Sequence, residues 1–411
     1  MKKTKNRPRF FDNIIPSLFF LLSFLLPSQL GKHFFLGFSY LSGIRIDYLA
    51  PTLYLTDILI CLLAVLYFKT VFSFFRSKRV LFFLFIISFT GIYAISVPLF
   101  LYRILKLVEL CTICAIFQEG YAKNKKSIIA GFACSVFFQA PLVITQFITK
   151  HSLQGMWYFF GERYMSLSMF GIAKATMQDI TILRPYGTFS HPNSLAGFFL
   201  LIYVFFLTNK QITNTVLKYA VIFFCSLFIF LSFSKNAILT YVLLTVWYTI
   251  RERFSCKICS LARLSLPIFL AAVFMFAQTD PASLEKRVTL LKESLIIIAK
   301  SPLTGVGLGN YLLASHSFPI KYPYFFLQPV HNIFLLFAAE TGLVIFVIAL
   351  FFFIRFIKKY KQDASALFVV LAICLTGLND HYWITLQQNW LLMGVIFGII
   401  VSWHPKKTAT V

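Results

Sequence analysis

The chain has 411 residues, 59% of them hydrophobic and 13% charged, with a mean hydropathy of +0.80 and a formal net charge of +24. A soluble globular domain carries about 25% charged residues, and the apolar residues here come in blocks near the roughly 20 that a helix needs to cross a bilayer, so a soluble domain is excluded. The blocks do not alternate, which excludes a β-barrel, and the basic residues sit in short loops between blocks, which argues for the positive-inside pattern of membrane proteins and against a nucleic-acid partner.

The start, Met1 to Arg9, is basic and leads into an apolar run. No small-residue cleavage site follows Leu26, so the run reads as a retained first helix. Helices are expected at about 14–30, 49–68, 80–97, 99–118, 127–149, 191–208, 216–233, 236–250, 264–278, 331–354, 364–380 and 387–403. Basic loops fall at Lys2 to Arg9, Lys69 to Arg79, Lys123 to Lys126, Lys210 to Lys218, Arg251 to Arg263, Arg355 to Lys361, and Lys406 with Lys407. Every second loop is therefore basic, which predicts both termini on the cytoplasmic side and an even number of spans. The expected fold class is all-α: a polytopic transmembrane bundle of about 12 helices, one integral membrane domain over 1–411.

Two outward loops are long, about 150–190 and 279–330. They hold Trp157, Tyr158, Phe159, Phe160, Tyr322, Tyr324, Phe325 and Phe326, too many aromatics for disorder and suited to a bilayer interface. Between Arg287 and Lys300, apolar Val288, Leu291, Leu295 and Ile298 recur at helical spacing and predict a helix along the outer membrane surface. The eight cysteines make no disulfide framework. Cys111/Cys114 and Cys256/Cys259 each have CxxC spacing, but neither pair has the further ligands that a structural zinc needs.

An outer face should be poor in cations, so its exceptions are informative. Arg184 precedes Pro-Tyr-Gly-Thr-Phe, Lys235 sits at a tight turn in Ser-Phe-Ser-Lys-Asn, Arg287 follows Asp280-Pro281 and Lys286, and His331 opens a helix beside Asn332. All fall at the outer end of the bundle, where converging Arg and Lys suit a polyanion. Each also has a plain structural reading, since such side chains snorkel to headgroups. His331 is the best candidate base. Ser190-His191-Pro192-Asn193 opens a helix, and capping explains His191 and Asn193 before catalysis does. Gly305, Gly307 and Gly309 lack the strand and helix of a dinucleotide fingerprint and read as a turn allowing close backbone approach to a ligand or another helix. Lys106 and Glu109 can pair along one helix face, with Arg103 near its outer end. Asp380, in Asp-His-Tyr-Trp, could orient a cation or a histidine, or only cap a turn. No D-x-D and no His/carboxylate cluster of metal spacing occurs, so neither a metal nor a cofactor is expected.

Three segments resemble the O-antigen ligase/polymerase superfamily of bacterial envelope glycosyltransferases. They are Arg184-Pro-Tyr-Gly-Thr-Phe-Ser-His-Pro-Asn-Ser-Leu-Ala-Gly197, then Ser234-Lys235-Asn-Ala237, and then Ser301 to Tyr311 with His331 to Gly342. The resemblance covers a core of 180–350, including the extracytoplasmic loop 279–330. It implies a GT-C-like, metal-independent glycosyltransferase, with its active site outside the bacterial inner membrane and with membrane lipids around it. The donor would be a glycan on a polyprenyl diphosphate, and the acceptor a lipid, a glycan or a protein. It further implies that Arg184 and Lys235, with Arg287 nearby, bind diphosphate, and that His331 activates the acceptor, supported by Asn332, His191, Asn193 and Asp380. The family pattern has Arg where this chain has Lys235, which keeps the charge and loses the bidentate fork. Within the superfamily, a ligase and a polymerase of surface polysaccharide are both open. A transporter or flippase would instead show repeat symmetry and polar groups at the midplane, and a membrane scaffold would use its outer cations on headgroups alone.

Overall fold

The computed structural model describes residues 10–177, 179–252, 257–277, 282–319, 321–322 and 324–404. The basic ends, Lys2 to Arg9 and Lys406 with Lys407, lie outside these residues, as do Cys256, the side chain of Cys259 and Asp280-Pro281. In chain order the helices are α1 (Phe10–Leu25), α2 (Leu55–Leu66), α3 (Phe68–Phe75), α4 (Lys78–Phe89), α5 (Val97–Thr149), α6 (Pro192–Thr208), α7 (Thr215–Leu231), α8 (Lys235–Glu252), α9 (Lys257–Met275), α10 (Ala282–Lys300), α11 (Tyr311–Ser315), α12 (Ile333–Tyr360), α13 (Ala364–Gly377), α14 (Tyr382–Thr385) and α15 (Gln387–Ser402). Each expected helix has a counterpart. By length and composition, α5 and α12 can cross a membrane, and α2 with α3, bent by 91°, would make a third span. Further apolar helices of 10–17 residues include α6, α7, α13 and α15.

The chain is mostly helical but not all-α. Strands β1 (Gly31–His33) and β4 (Thr52–Tyr54) pair antiparallel, as do β2 (Tyr40–Leu41) with β3 (Ile44–Arg45) and β5 (Lys174–Met177) with β6 (Ile180–Leu183). Residues with positive φ close two of these turns, Ser42 and Gly43 between β2 and β3, and Asp179 between β5 and β6. The short strands satisfy backbone groups that a long connection would otherwise leave open. They also account for the late start of α2, expected from residue 49.

The helix α5 has 53 residues with one non-helical position, Asn124. A straight rod of that length would run about 80 Å. Yet Phe19 of α1 packs on Phe117 while Phe24 packs on Phe138. Five residues of α1 span about 7.5 Å, whereas 117 to 138 in one rod would span about 31 Å. The chain therefore doubles back at Asn124, among Lys123, Lys125 and Lys126, giving the two arms expected at 99–118 and 127–149.

The core is built around α6, whose 17 residues are almost all buried. A helix that is apolar on every side belongs inside a bundle, and α6 packs against α7 and α13. Its start, rather than its middle, carries the polar side chains.

A second break lies in α12 at Gly342 (φ 79, ψ 164). The Gly305-Gly307 loop fills it. Val306 N–H donates to Ala339 O and Gly307 N–H to Glu340 O, each at 3.0 Å, and Leu343 N–H donates to Pro302 O at 2.7 Å. A Cβ on Gly305 would come within 2.5 Å of the Glu340 carbonyl. The glycines thus serve backbone approach to another helix, one of the two uses expected of them.

Helices α2, α5 and α15 share a buried ion cluster. Lys106 Nζ lies 2.6 Å from Asp57 and 3.1 Å from Glu109, and Gln387 Nε2 donates to Asp57 at 2.7 Å. Arg103 instead donates to Tyr48 O at 3.1 Å.

Candidate active site

The long 150–190 segment is tied down by two buried polar residues. Glu162 accepts from the backbone of Leu153 (2.9 Å) and Gln154 (2.6 Å) and from Gln146 Nε2 (2.7 Å). Gln146 Oε1 in turn accepts from the N–H groups of Tyr186 (3.0 Å) and Gly187 (2.8 Å). Thr188 Oγ1 donates to Pro27 O at 2.6 Å. These bonds fix the stretch that carries Arg184 and delivers the chain to α6. Of the four clustered aromatics, Trp157 and Phe160 pack on Phe138, while Tyr158 and Phe159 are exposed.

Arg184 is buried, 8% exposed. Its Nε donates to Ser232 O at 2.7 Å, and Nη2 donates to Asn193 Oδ1. Nη1 makes no hydrogen bond to a described residue. Asn193 passes the connection on, because its Nδ2 donates to Asp380 Oδ2 at 2.7 Å. Asp380 Oδ1 accepts from the His381 backbone N–H at 2.8 Å. The rings of His331 and His381 meet edge to face, 5.0 Å between centres. Arg287 reaches the same corner, donating to Asn379 O at 3.0 Å. Six expected residues thus converge: Arg184, His191, Asn193, Arg287, His331 and Asp380.

The other two expected residues sit at the rim. Asn332 caps α12, accepting from Phe334 and Leu335 N–H, and donates to Leu378 O at 3.1 Å. Lys235 is exposed at the start of α8, three residues after the carbonyl that Arg184 holds. His191 does cap α6, as expected, its Nδ1 accepting from Asn193 N–H at 3.1 Å.

Burial sets the charges. It depresses His191, with Arg184 adding to the effect, to about 3. It depresses His381, with His331 adding, also to about 3. His331 is lowered by burial and by Arg287, against Asp380, which raises it. Burial raises Asp380, but the histidines, His331 first, and Arg287 outweigh it and hold the carboxyl at about 2. Arg184, lowered by burial to about 10, stays charged. At neutral pH the imidazoles are therefore uncharged, and two guanidinium groups face one carboxylate. The helix starts of α6, α8 and α12 add partial positive charge at the same end. The surplus is cationic, which suits an anion such as a phosphate. Among the described residues, Ser190 Oγ and His331 Nδ1 are buried without a partner.

One expectation is corrected. The sequence showed no His/carboxylate cluster, yet ligand atoms of His331, Asp380 and His381 lie within 4.8 Å of one another. Residues 331 and 380 are too far apart in sequence for spacing to reveal this. A cation there would compete with Arg184 and Arg287, and both Asp380 oxygens are already engaged. His381 joins this cluster, and its adjacency to Asp380 is the signal of this in the sequence. Tyr48, whose ring meets His381 at 5.7 Å, gave no signal at all.

A polar cluster at the end of an apolar helix bundle marks an integral membrane protein with a polar site. Residues 194–350 match the family model described as O-antigen ligase, and this match supports the superfamily that the motifs resemble. The match supports a membrane enzyme of the O-antigen ligase/polymerase type. No curated protein matches the chain.

Proposed function

We propose that the protein transfers a glycan from a polyprenyl-diphosphate carrier to an acceptor hydroxyl, as a ligase or polymerase of surface polysaccharide. The observation that carries this reading is the hydrogen-bonded link from Arg184 through Asn193 to Asp380, with His331 and Arg287 beside the carboxylate. Arg184 Nη1, Arg287 and Lys235 bind the diphosphate. His331, uncharged at neutral pH and with Nδ1 unpaired, takes the acceptor proton, and Asp380 stabilises the imidazolium that results. The acceptor oxygen bonds to the anomeric carbon as the bond to the diphosphate oxygen breaks, and the electron pair leaves with the diphosphate. Fixed cations in a water-poor site act on that developing charge without reorganising. The proton transfer adds about 10²–10⁴-fold. Attack from the face opposite the diphosphate inverts the anomeric centre.

The alternation of basic loops supports a plasma-membrane protein with both ends inside and this site outside. In a strain lacking the protein, Arg184→Ala and His331→Ala, expressed at wild-type levels, are expected to lower transfer at least about 10²-fold on a glycan gel. Wild-type chain patterns from both variants would overturn the reading. In the deletion strain, long chains left on the carrier identify a ligase, and single repeats a polymerase.

A further inference from the structure

A cavity of about 320 Å³ lies next to the candidate active site. One wall is the α10 face carrying Thr289, Leu290 and Glu293, which begins two residues after Arg287. Two and six residues along a helix are about 3 and 9 Å. Its lid is the strap through Tyr322, Tyr324 and Phe326, which runs on to His331. The cavity therefore shares two of its walls with the polar cluster, yet none of its lining residues belongs to that cluster.

The lining has two kinds of surface. The aromatic side is preassembled, with Tyr322 stacked on Tyr324 at 5.6 Å and set edge to face on Phe326 at 5.2 Å. Lys286 lies over the rings of Tyr324 and Phe326, at 5.5 and 5.9 Å, tying the strap to α10. The polar side centres on Glu293, which is only 8% exposed. Ser315 donates to its Oε2 at 3.2 Å. Among the described residues, its Oε1 has only Lys321, 3.7 Å away and half exposed, which is beyond hydrogen-bond length. This oxygen of a buried residue is thus available to accept from a ligand.

A sugar ring matches both surfaces. Its C–H face carries the slight positive charge that aromatic faces attract, and its hydroxyl edge donates strongly to a carboxylate. A polyprenyl tail would desolvate Glu293 Oε1 and Lys321 Nζ while offering neither a hydrogen bond. The volume is at the lower end for ligand sites, about 300–1,000 Å³, and so suits one ring rather than a chain of them. We propose that this cavity is a sugar-binding subsite, which seats a ring of the glycan beside the reacting centre. The inference rests on the glycan-transfer reading above, and the ring belongs to either donor or acceptor.

The test uses the full-length protein in phospholipid nanodiscs, free of sugar detergents. The probe is the oligosaccharide released by mild acid from the host's own surface glycan, followed by saturation-transfer NMR. Glu293→Gln and Tyr322→Leu, the second guarding against misfolding of the first, are expected to weaken binding about tenfold or more. Arg184→Ala is expected to bind the free glycan normally while losing transfer. In transfer assays the cavity variants raise KM more than they lower kcat. If the rise is confined to the donor titration, the subsite holds the donor; if to the acceptor titration, the acceptor. Wild-type binding in both cavity variants, or no transfer of saturation to the wild type's probe, overturns the subsite. Normal glycan transfer by Arg184→Ala would sink the catalytic reading and leave the subsite standing.

Discussion

Arg184 is held by a carbonyl from the α7–α8 turn and an amide from the start of α6, two bonds that its fork makes at once. A lysine cannot do both. The histidines beyond it carry a pH signature. His331 lies below its ordinary 6.5, so it is unprotonated at and above that pH. Transfer should be level from about pH 7 upward and fall only as pH drops below 6.5; a pH profile of kcat/KM checks this. Stability follows a related course. His191 and His381 titrate at about 3 when folded and near 6.5 when unfolded. Between those values the unfolded chain takes up protons that the folded one refuses. Their contribution is complete above about 6.5 and falls towards pH 3, by up to about 1.4 kcal/mol per unit for each histidine. The thermal midpoint should be lower at pH 5 than at pH 7, and less so in His381→Gln. The sequence disclosed Arg184, His331 and Arg287 because cations stand out on a cation-poor face. It did not disclose Tyr48 or the closeness of His331 to His381, which depend on how separate loops meet.

At the scale of elements, the helices were legible because apolar blocks of bilayer length have few alternative structures in lipid. The strands were not, since two to four residues leave almost no periodicity to read. The α10 stripe shows both outcomes. Val288, Leu291 and Leu295 are exposed, as a membrane-facing stripe would be, but Ile298, the fourth residue of the expected stripe, is half-buried against the core, and Leu290 and Ile297 pack inward on a face that the sequence did not single out. The break in α12 carries its own prediction. Gly342 has φ 79, and a Cβ there would collide with the Leu303 carbonyl. Gly342→Ala should destabilise the protein by about 2 kcal/mol or more, read as a lowered thermal midpoint. Gly37→Ala is the control, for a Cβ at Gly37 meets nothing within 4 Å.

At the scale of the whole molecule, the Asp57–Lys106–Glu109 cluster joins the early helices to the last one. Replacing Lys106 by Met leaves two buried carboxylates without their cation, a change that costs about 3–5 kcal/mol. The expected result is a sharp fall in thermal midpoint, largely restored by Lys106→Arg; an unchanged midpoint would contradict the pairing. Lys106 and Glu109 can be read from sequence as structural or functional, and the Asp57 and Gln387 contacts favour the structural reading. The polar site is assembled in the same long-range manner. Arg184, Ser232, Arg287, His331 and Asp380 come from five stretches, and the last lies 196 residues after the first. A ribosome must therefore translate well beyond residue 380, and the helices on either side of it must be inserted, before the site exists. A nascent or prematurely released chain holds Arg184 but not the carboxylate to which it is linked, so the protein has no partially active form during its own synthesis.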